Sequence, residues 1–217
     1  MSDKDERYYQ VVLIWMRDPA KFRDYLETLG PIVTRYSGAA DISIEPTEIW
    51  ADDLTLPQIV NLVHYDSKEA FERFNADPDF AAIVHLRDES VDLCAFGGWL
   101  VTADRSTSGL AERLYHIELV RFPDGSPAAY RRYEAEGESV MRRYGFQVEY
   151  VVELEPQPGQ APQPQLAKIS CFPNKRTSAE FHNDPAHKQI ETQLYPAAVS
   201  EPIWITGRAV RRGSRAD

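Results

Sequence analysis

Cysteine is scarce: only Cys94 and Cys171 occur in 217 residues. Each falls in a strand-like run, which excludes a disulfide framework and favours two free thiols in a reducing cytoplasm. No apolar run reaches the ~18 residues of a membrane span. Met1 to Arg7 is polar and charged, without the apolar stretch of a signal peptide, so a cytoplasmic location is expected. Basic residues are in the minority, 24 Lys and Arg against 34 Asp and Glu, for a net charge of −10. That balance argues against a nucleic-acid partner and against an anionic membrane surface. Glycine-rich phosphate loops, Walker motifs and dinucleotide fingerprints are missing. No His/Cys group has metal-ligand spacing, and His182 and His187, five apart, miss the i, i+4 face of a helix. No cofactor is expected on these grounds.

What the chain does contain is a repeat. Phe22, Arg23, Tyr25, Arg35 and Tyr36 are echoed by Tyr130, Arg131, Tyr133, Arg143 and Tyr144. Phe74, Asp77, Pro78 and Ile83 are echoed by Phe181, Asp184, Pro185 and Ile190. A nearly constant offset over two separate stretches predicts two copies of one small domain, at 8–101 and 113–210. Residues 102–112, rich in Ser, Thr, Ala and Gly, read as a linker, and 211–217 as a polar tail.

Each copy has the same element pattern. A β-rich run from Tyr9 to Met16 precedes Asp18-Pro19, an N-cap with proline at the first helical position. Phe22, Tyr25, Leu26, Leu29, Val33 and Tyr36 form one helical stripe, with a kink expected at Pro31. Strands follow at Asp41 to Trp50 and Gln58 to Tyr65. A helix from Ser67 to about Asp88, broken at Asp77-Pro78, leads to the strand Val91 to Val101. The second copy repeats the order: strand Tyr115 to Phe122, helix Pro127 to Tyr144, strands Phe146 to Leu154 and Leu166 to Phe172, broken helix Lys175 to Leu194, strand Pro202 to Val210. The Pro- and Gln-rich stretch Glu155 to Gln165 reads as a long hairpin loop. The order β-α-β-β-α-β is that of a ferredoxin-like α+β unit. Its first strand is apolar on both faces, so the sheet needs a second cover. Two sheets packed face to face, helices outside, supply it, either within one chain or in a homodimer.

With helix ends at Arg35-Tyr36-Ser37-Gly38 and Arg143-Tyr144-Gly145, and helix breaks at Asp77-Pro78 and Asp184-Pro185, both copies resemble the dimeric α+β barrel superfamily. The resemblance is to small uncharacterised bacterial domains, and more distantly to the NIPSNAP-like and antibiotic-biosynthesis monooxygenase-like branches. It implies a fold rather than an activity, since members include cofactor-free oxygenases, isomerases, lyases and haem enzymes. Some two-copy relatives hold haem through a helix histidine in the second copy, a place only His187 fits here.

Differences between the copies point to a site. Aligned at constant offset, Tyr9 and Val11 become His116 and Glu118, Asn61 and Val63 become Lys168 and Ser170, and Phe80 becomes His187. On the first helix Leu26 becomes Glu134 and Leu29 becomes Gly137. Small and polar residues replacing apolar ones are what a pocket requires. The second copy is therefore expected to hold the site and the first to be mainly structural. His116, with its pKa raised by Glu118 two residues along the same strand face, would abstract a proton, and Lys168 would stabilise the resulting anion. Tyr133, Glu134, Gly137, Ser170, His182 and His187 would contact the substrate. The competing reading makes His116, Glu118 and Lys168 an ion-pair network inside the barrel, with Glu134 in water.

Function narrows to three readings. The first is a cofactor-independent enzyme of specialised or catabolic metabolism (oxygenase, isomerase or cyclase) acting on a small organic molecule. The second is a non-catalytic binding module or oligomeric scaffold. The third is a haem-binding barrel.

Overall fold

The structure is a computed structural model and describes residues 7–103, 112–156 and 163–210. The linker and tail readings, and the tip of the Pro- and Gln-rich loop, lie mostly or wholly outside these residues. In chain order the elements are β1 (Tyr8–Met16), α1 (Pro19–Arg35), β2 (Ala39–Trp50), β3 (Ile59–Tyr65), α2 (Lys68–Asn75), α3 (Pro78–Ser90) and β4 (Val91–Ala103). The second half runs β5 (Leu114–Arg121), α4 (Ala128–Arg143), β6 (Gln147–Leu154), β7 (Leu166–Phe172), α5 (Lys175–Asn183), α6 (Pro185–Ala198) and β8 (Ser200–Ala209).

All eight strands join in one closed antiparallel barrel, in the order β1-β3-β2-β8-β5-β7-β6-β4. The expected pair of facing sheets is thus a single sheet, sewn along two seams where β2 meets β8 and β4 meets β6. The barrel closes within this chain. Alternation along the strands divides the side chains. Tyr9, Val11, Leu13, Leu62, Tyr115, Ile117, Leu119, Ile169 and Ile205 point inward and are almost fully buried. Their alternates point out to the helices, where Ile14, Phe22, Tyr25 and Phe74 form one cluster and Val120, Tyr130, Tyr133 and Ala198 another.

Local chemistry sets the helix ends. Asp18 caps α1 through the backbone N–H groups of Ala20 and Lys21, with Pro19 in the first turn. Helix α1 runs through Pro31 to Arg35 as one element. Asp77 and Asp184 cap the helices after each break, and each also accepts from a tyrosine hydroxyl, Tyr36 at 2.6 Å and Tyr144 at 2.9 Å. Gly145 stops α4 at φ 66°, a left-handed position that suits glycine. Helix α6 continues through Pro196 to Ala198, past the expected end at Leu194.

Strand pairing corrects the alignment of the two halves. Tyr9 pairs with His64, and Tyr115 with Cys171; Gln10 pairs with Val63, and His116 with Ser170. Matched by their partners, His116 corresponds to Gln10 and Glu118 to Val12, one residue away from the constant-offset assignment. A slip of one residue exchanges the two faces of a strand. Tyr9 and Val11 are therefore not the positions that changed.

Candidate functional site

The predicted site residues His116, Glu118, Tyr133, Lys168, Ser170, His182 and His187 lie between the barrel and α4, α5 and α6. Lys168 is at the centre. Its Nζ is 2.7 Å from Glu118, 2.7 Å from the Tyr130 hydroxyl and 3.1 Å from Glu134. Both Lys168 and Glu118 are buried. Burial alone would strip the proton from this lysine, but the two carboxylates outweigh that and hold it charged. Tyr130 donates to Glu118 at 2.7 Å, and Tyr195 donates to its other oxygen at 2.9 Å. The indole N–H of Trp204 donates to the Tyr195 hydroxyl at 2.6 Å. The ion pair is thereby linked to an aromatic wall.

His116 takes no part in that network. Its Nε2 is 3.2 Å from the Ser178 hydroxyl, and its ring stacks on His182 at a centroid distance of 5.6 Å. Burial, then His182 and Lys168, lower its pKa to about 3. The expected rise caused by Glu118 does not occur, because Glu118 is committed to Lys168 and two tyrosines. Burial also lowers His182. The helix break brings His182 and His187 together across the α5–α6 junction, ring centroids 5.6 Å apart. Their sequence spacing excluded a shared helix face but not this. His187 is buried against Phe181, and its Nε2 has no hydrogen-bond partner.

Two spaces adjoin these groups. One is a small cavity of about 40 Å³, lined by His116, Glu118, Tyr133, Lys168, Ser170, His182 and His187, with Trp204 and several phenylalanines. Seven of the nine predicted residues meet there. It has room for a few waters but no organic substrate. Beside it a cleft of about 450 Å³ opens outward, sharing His116, His182 and Trp204, and adding Trp50, Thr47, Glu48, Lys175, Ser178, Glu191 and Thr206. Trp50 and Trp204 are paired across the β2–β8 seam. Burial raises the pKa of Glu191.

The remaining expectations need correction. Gly137 opens no space, since a Cβ there would lie 2.8 Å from the Met141 methyl. Glu134 reaches Lys168 and lines neither space. Leu26, taken as a core position, is 43% exposed. Sequence reading missed Trp50 and Trp204, which the β2–β8 seam brings together, and Ser178 and Glu191, which α5 and α6 carry to the same cleft.

Among the described residues no group of three or more His, Cys, Asp or Glu could hold a metal. Haem does not fit. The space beside His187 is about 40 Å³, where ligand sites commonly enclose roughly 300–1,000 Å³. Cys171, buried and with its thiol pushed up to about 12 by burial, is no nucleophile. No helix among the described residues is long and apolar enough to cross a membrane.

No family model and no curated protein matches the chain. Solved structures do. An anthrone oxidase-like protein superposes with a TM-score of 0.64 at 15% identity, covering 97% of this chain and 94% of the other. A candidate monooxygenase from Lactobacillus acidophilus gives 0.53 at 9%, covering 94% of each. A mutant chlorite dismutase from Candidatus Nitrospira defluvii in complex with cyanide gives 0.58 at 10%, covering 96% and 92%. The chain shares its fold with these proteins. At these identities the likeness is one of fold.

Proposed function

We propose that this chain is a small-molecule enzyme that removes an acidic proton from an aromatic substrate without a resident cofactor. In this reading it is built from two ferredoxin-like units, 8–101 and 113–210. One observation carries it: two uncharged imidazoles, His116 and His182, stack at the floor of a cleft of about 450 Å³ walled by Trp50 and Trp204. The tryptophans offer flat faces to an aromatic ring. The imidazoles are unprotonated at neutral pH and so can accept a proton. Their low basicity suits only an already acidic C–H, such as one flanked by a carbonyl and aromatic rings. The C–H pair stays on the substrate as an enolate, and the proton passes to the imidazole. Lys168 and Glu118, closed on each other, act as positioning residues through Tyr195 and Trp204 rather than on the substrate. The oxidase and monooxygenase names of the structural neighbours support a substrate of this kind.

Anthrone, a stable C–H acid, provides the test. Its methylene protons are expected to exchange in D₂O faster with the protein than in buffer, followed by NMR. His116→Ala and His182→Ala should each lower the rate by about 10²-fold or more, with circular dichroism unchanged. Exchange no faster than buffer across a panel of such acids would defeat the proton-abstraction reading. Saturable binding without exchange would instead support a binding module, which the depressed basicity of His116 favours.

A further inference from the structure

The first half contains the larger opening. A cleft of about 490 Å³ lies between α1 and the outer face of β1, β3 and β4. The corresponding space in the second half is reduced to about 40 Å³. Side-chain size explains the difference. Where the second half has Glu118, Lys168 and Glu134, whose ends meet, the first has Val12, Asn61 and Leu26 at the matching places. Val12 and Asn61 form no ion pair across to α1, and the charged Arg87 at the cleft is paired with Asp88. On the helix side Gly30 adds no side chain, and a Cβ built there meets no atom within 4 Å. Leu26 and Leu93 stand at the cleft 43% and 40% exposed.

One group in this apolar setting lacks a partner. The Oδ1 of Asn61 is buried and makes no hydrogen bond. An orphaned buried acceptor is costly, and such groups are ordinarily satisfied. The carboxamide can turn about its last bond, so a bound molecule can pair with it.

We propose that this cleft binds a neutral, mainly apolar organic molecule of two to three rings carrying one hydrogen-bond donor, which pairs with Asn61. The volume falls within the usual range for ligand sites. The absence of any unpaired charge across the gap argues for a neutral ligand. The first half then has a binding role of its own, contrary to the expectation that it is mainly structural. This site stands apart from the histidine cleft and does not depend on it.

The probe is N-phenyl-1-naphthylamine, which is neutral, has one N–H and fluoresces in apolar surroundings. Saturable binding at one equivalent is expected, with backbone amide shifts in β1, β3 and α1. Val63→Phe, filling the cleft from the sheet, should weaken binding at least tenfold. Leu29→Trp, filling it from the helix, should do the same and decides the matter if Val63→Phe does not fold. Asn61→Leu should weaken the probe by about two- to tenfold, yet leave 1-phenoxynaphthalene, which lacks the N–H, unchanged. His182→Ala should bind like the wild type. Binding that survives both filling variants, or is lost in His182→Ala, would overturn the proposal. So would absence of saturable binding, or binding that falls with rising protein concentration because a second copy covers this face.

Discussion

His187 shows most clearly how a single residue couples this fold to pH. The first half has Phe80 at the matching place, after the same Asp-Pro break. In the second half an imidazole occupies the aromatic position and is kept neutral, burial lowering its pKa to about 4 and that of His116 to about 3. Unfolded histidines titrate near ~6.5. Between that value and about pH 4 the unfolded chain binds protons that the folded chain does not, so stability falls as the pH drops. Above ~6.5 these groups make no difference. Urea unfolding at pH 5 is expected to show less stability than at pH 7.5, by on the order of 2 kcal/mol for each of the two histidines. His187→Phe should remove about half of that dependence, and a profile parallel to the wild type would exclude His187 as a cause. Sequence comparison singled out His116, Glu118, Lys168 and His187; matched by strand pairing, Glu118 and His187 replace the apolar Val12 and Phe80, whereas His116 and Lys168 replace the polar Gln10 and Asn61. It could not give their partners. Glu118 is two residues from His116 and on the same face, yet burial made it cheaper for the carboxylate to neutralise Lys168 than to face an imidazole.

At the scale of elements the Asp-Pro breaks stand out. Asp77 and Asp184 each end one helix and cap the next, and each gathers an arginine and a tyrosine from the first helix of its half: Arg35 and Tyr36, or Arg143 and Tyr144. These interactions and the backbone N–H groups hold both carboxyls below the usual range. The recurring Arg-Tyr and Asp-Pro pairs are thus two halves of one tie. Asp77→Ala and Asp184→Ala are expected to lower the urea midpoint to a similar extent. Only Asp184→Ala should also slow anthrone exchange, because the same break sets His187 and His182 beside each other. Equal effects on exchange would mean the break acts through global stability alone. Elements and their order were legible because caps and apolar periodicity are local. The one-residue slip between β1 and β5 was not, since β1 is largely apolar on both faces and its pattern has no phase to read.

For the whole molecule the two seams decide the shape. Gly98 on β4 and Gly207 on β8 each lie against backbone from the other half. A Cβ would fall 2.0 Å from the Glu153 carbonyl oxygen in one case and 2.4 Å from that of Glu45 in the other. Glycine is required there because the strands approach so closely. Gly98→Val and Gly207→Val should each cost about 3 kcal/mol or more, read by denaturation. In the wild type a single transition should be seen by calorimetry and by spectroscopy alike. Two separated transitions in the wild type would show that the halves unfold independently.

The residue pattern by itself determined the elements, their order and their caps, because each rests on neighbours within a few turns of chain. It also located the unusual residues, since a charge in an apolar stripe is visible without a structure. Tertiary structure alone decided that the barrel closes within one chain, since the seams pair residues as distant in sequence as Gly98 with Leu154 and Glu45 with Arg208. It also decided which half is filled and which is open. That depends on whether opposing side chains reach each other across the helix–sheet gap. Glu118, Glu134 and Lys168 do so, and Val12, Leu26 and Asn61 do not.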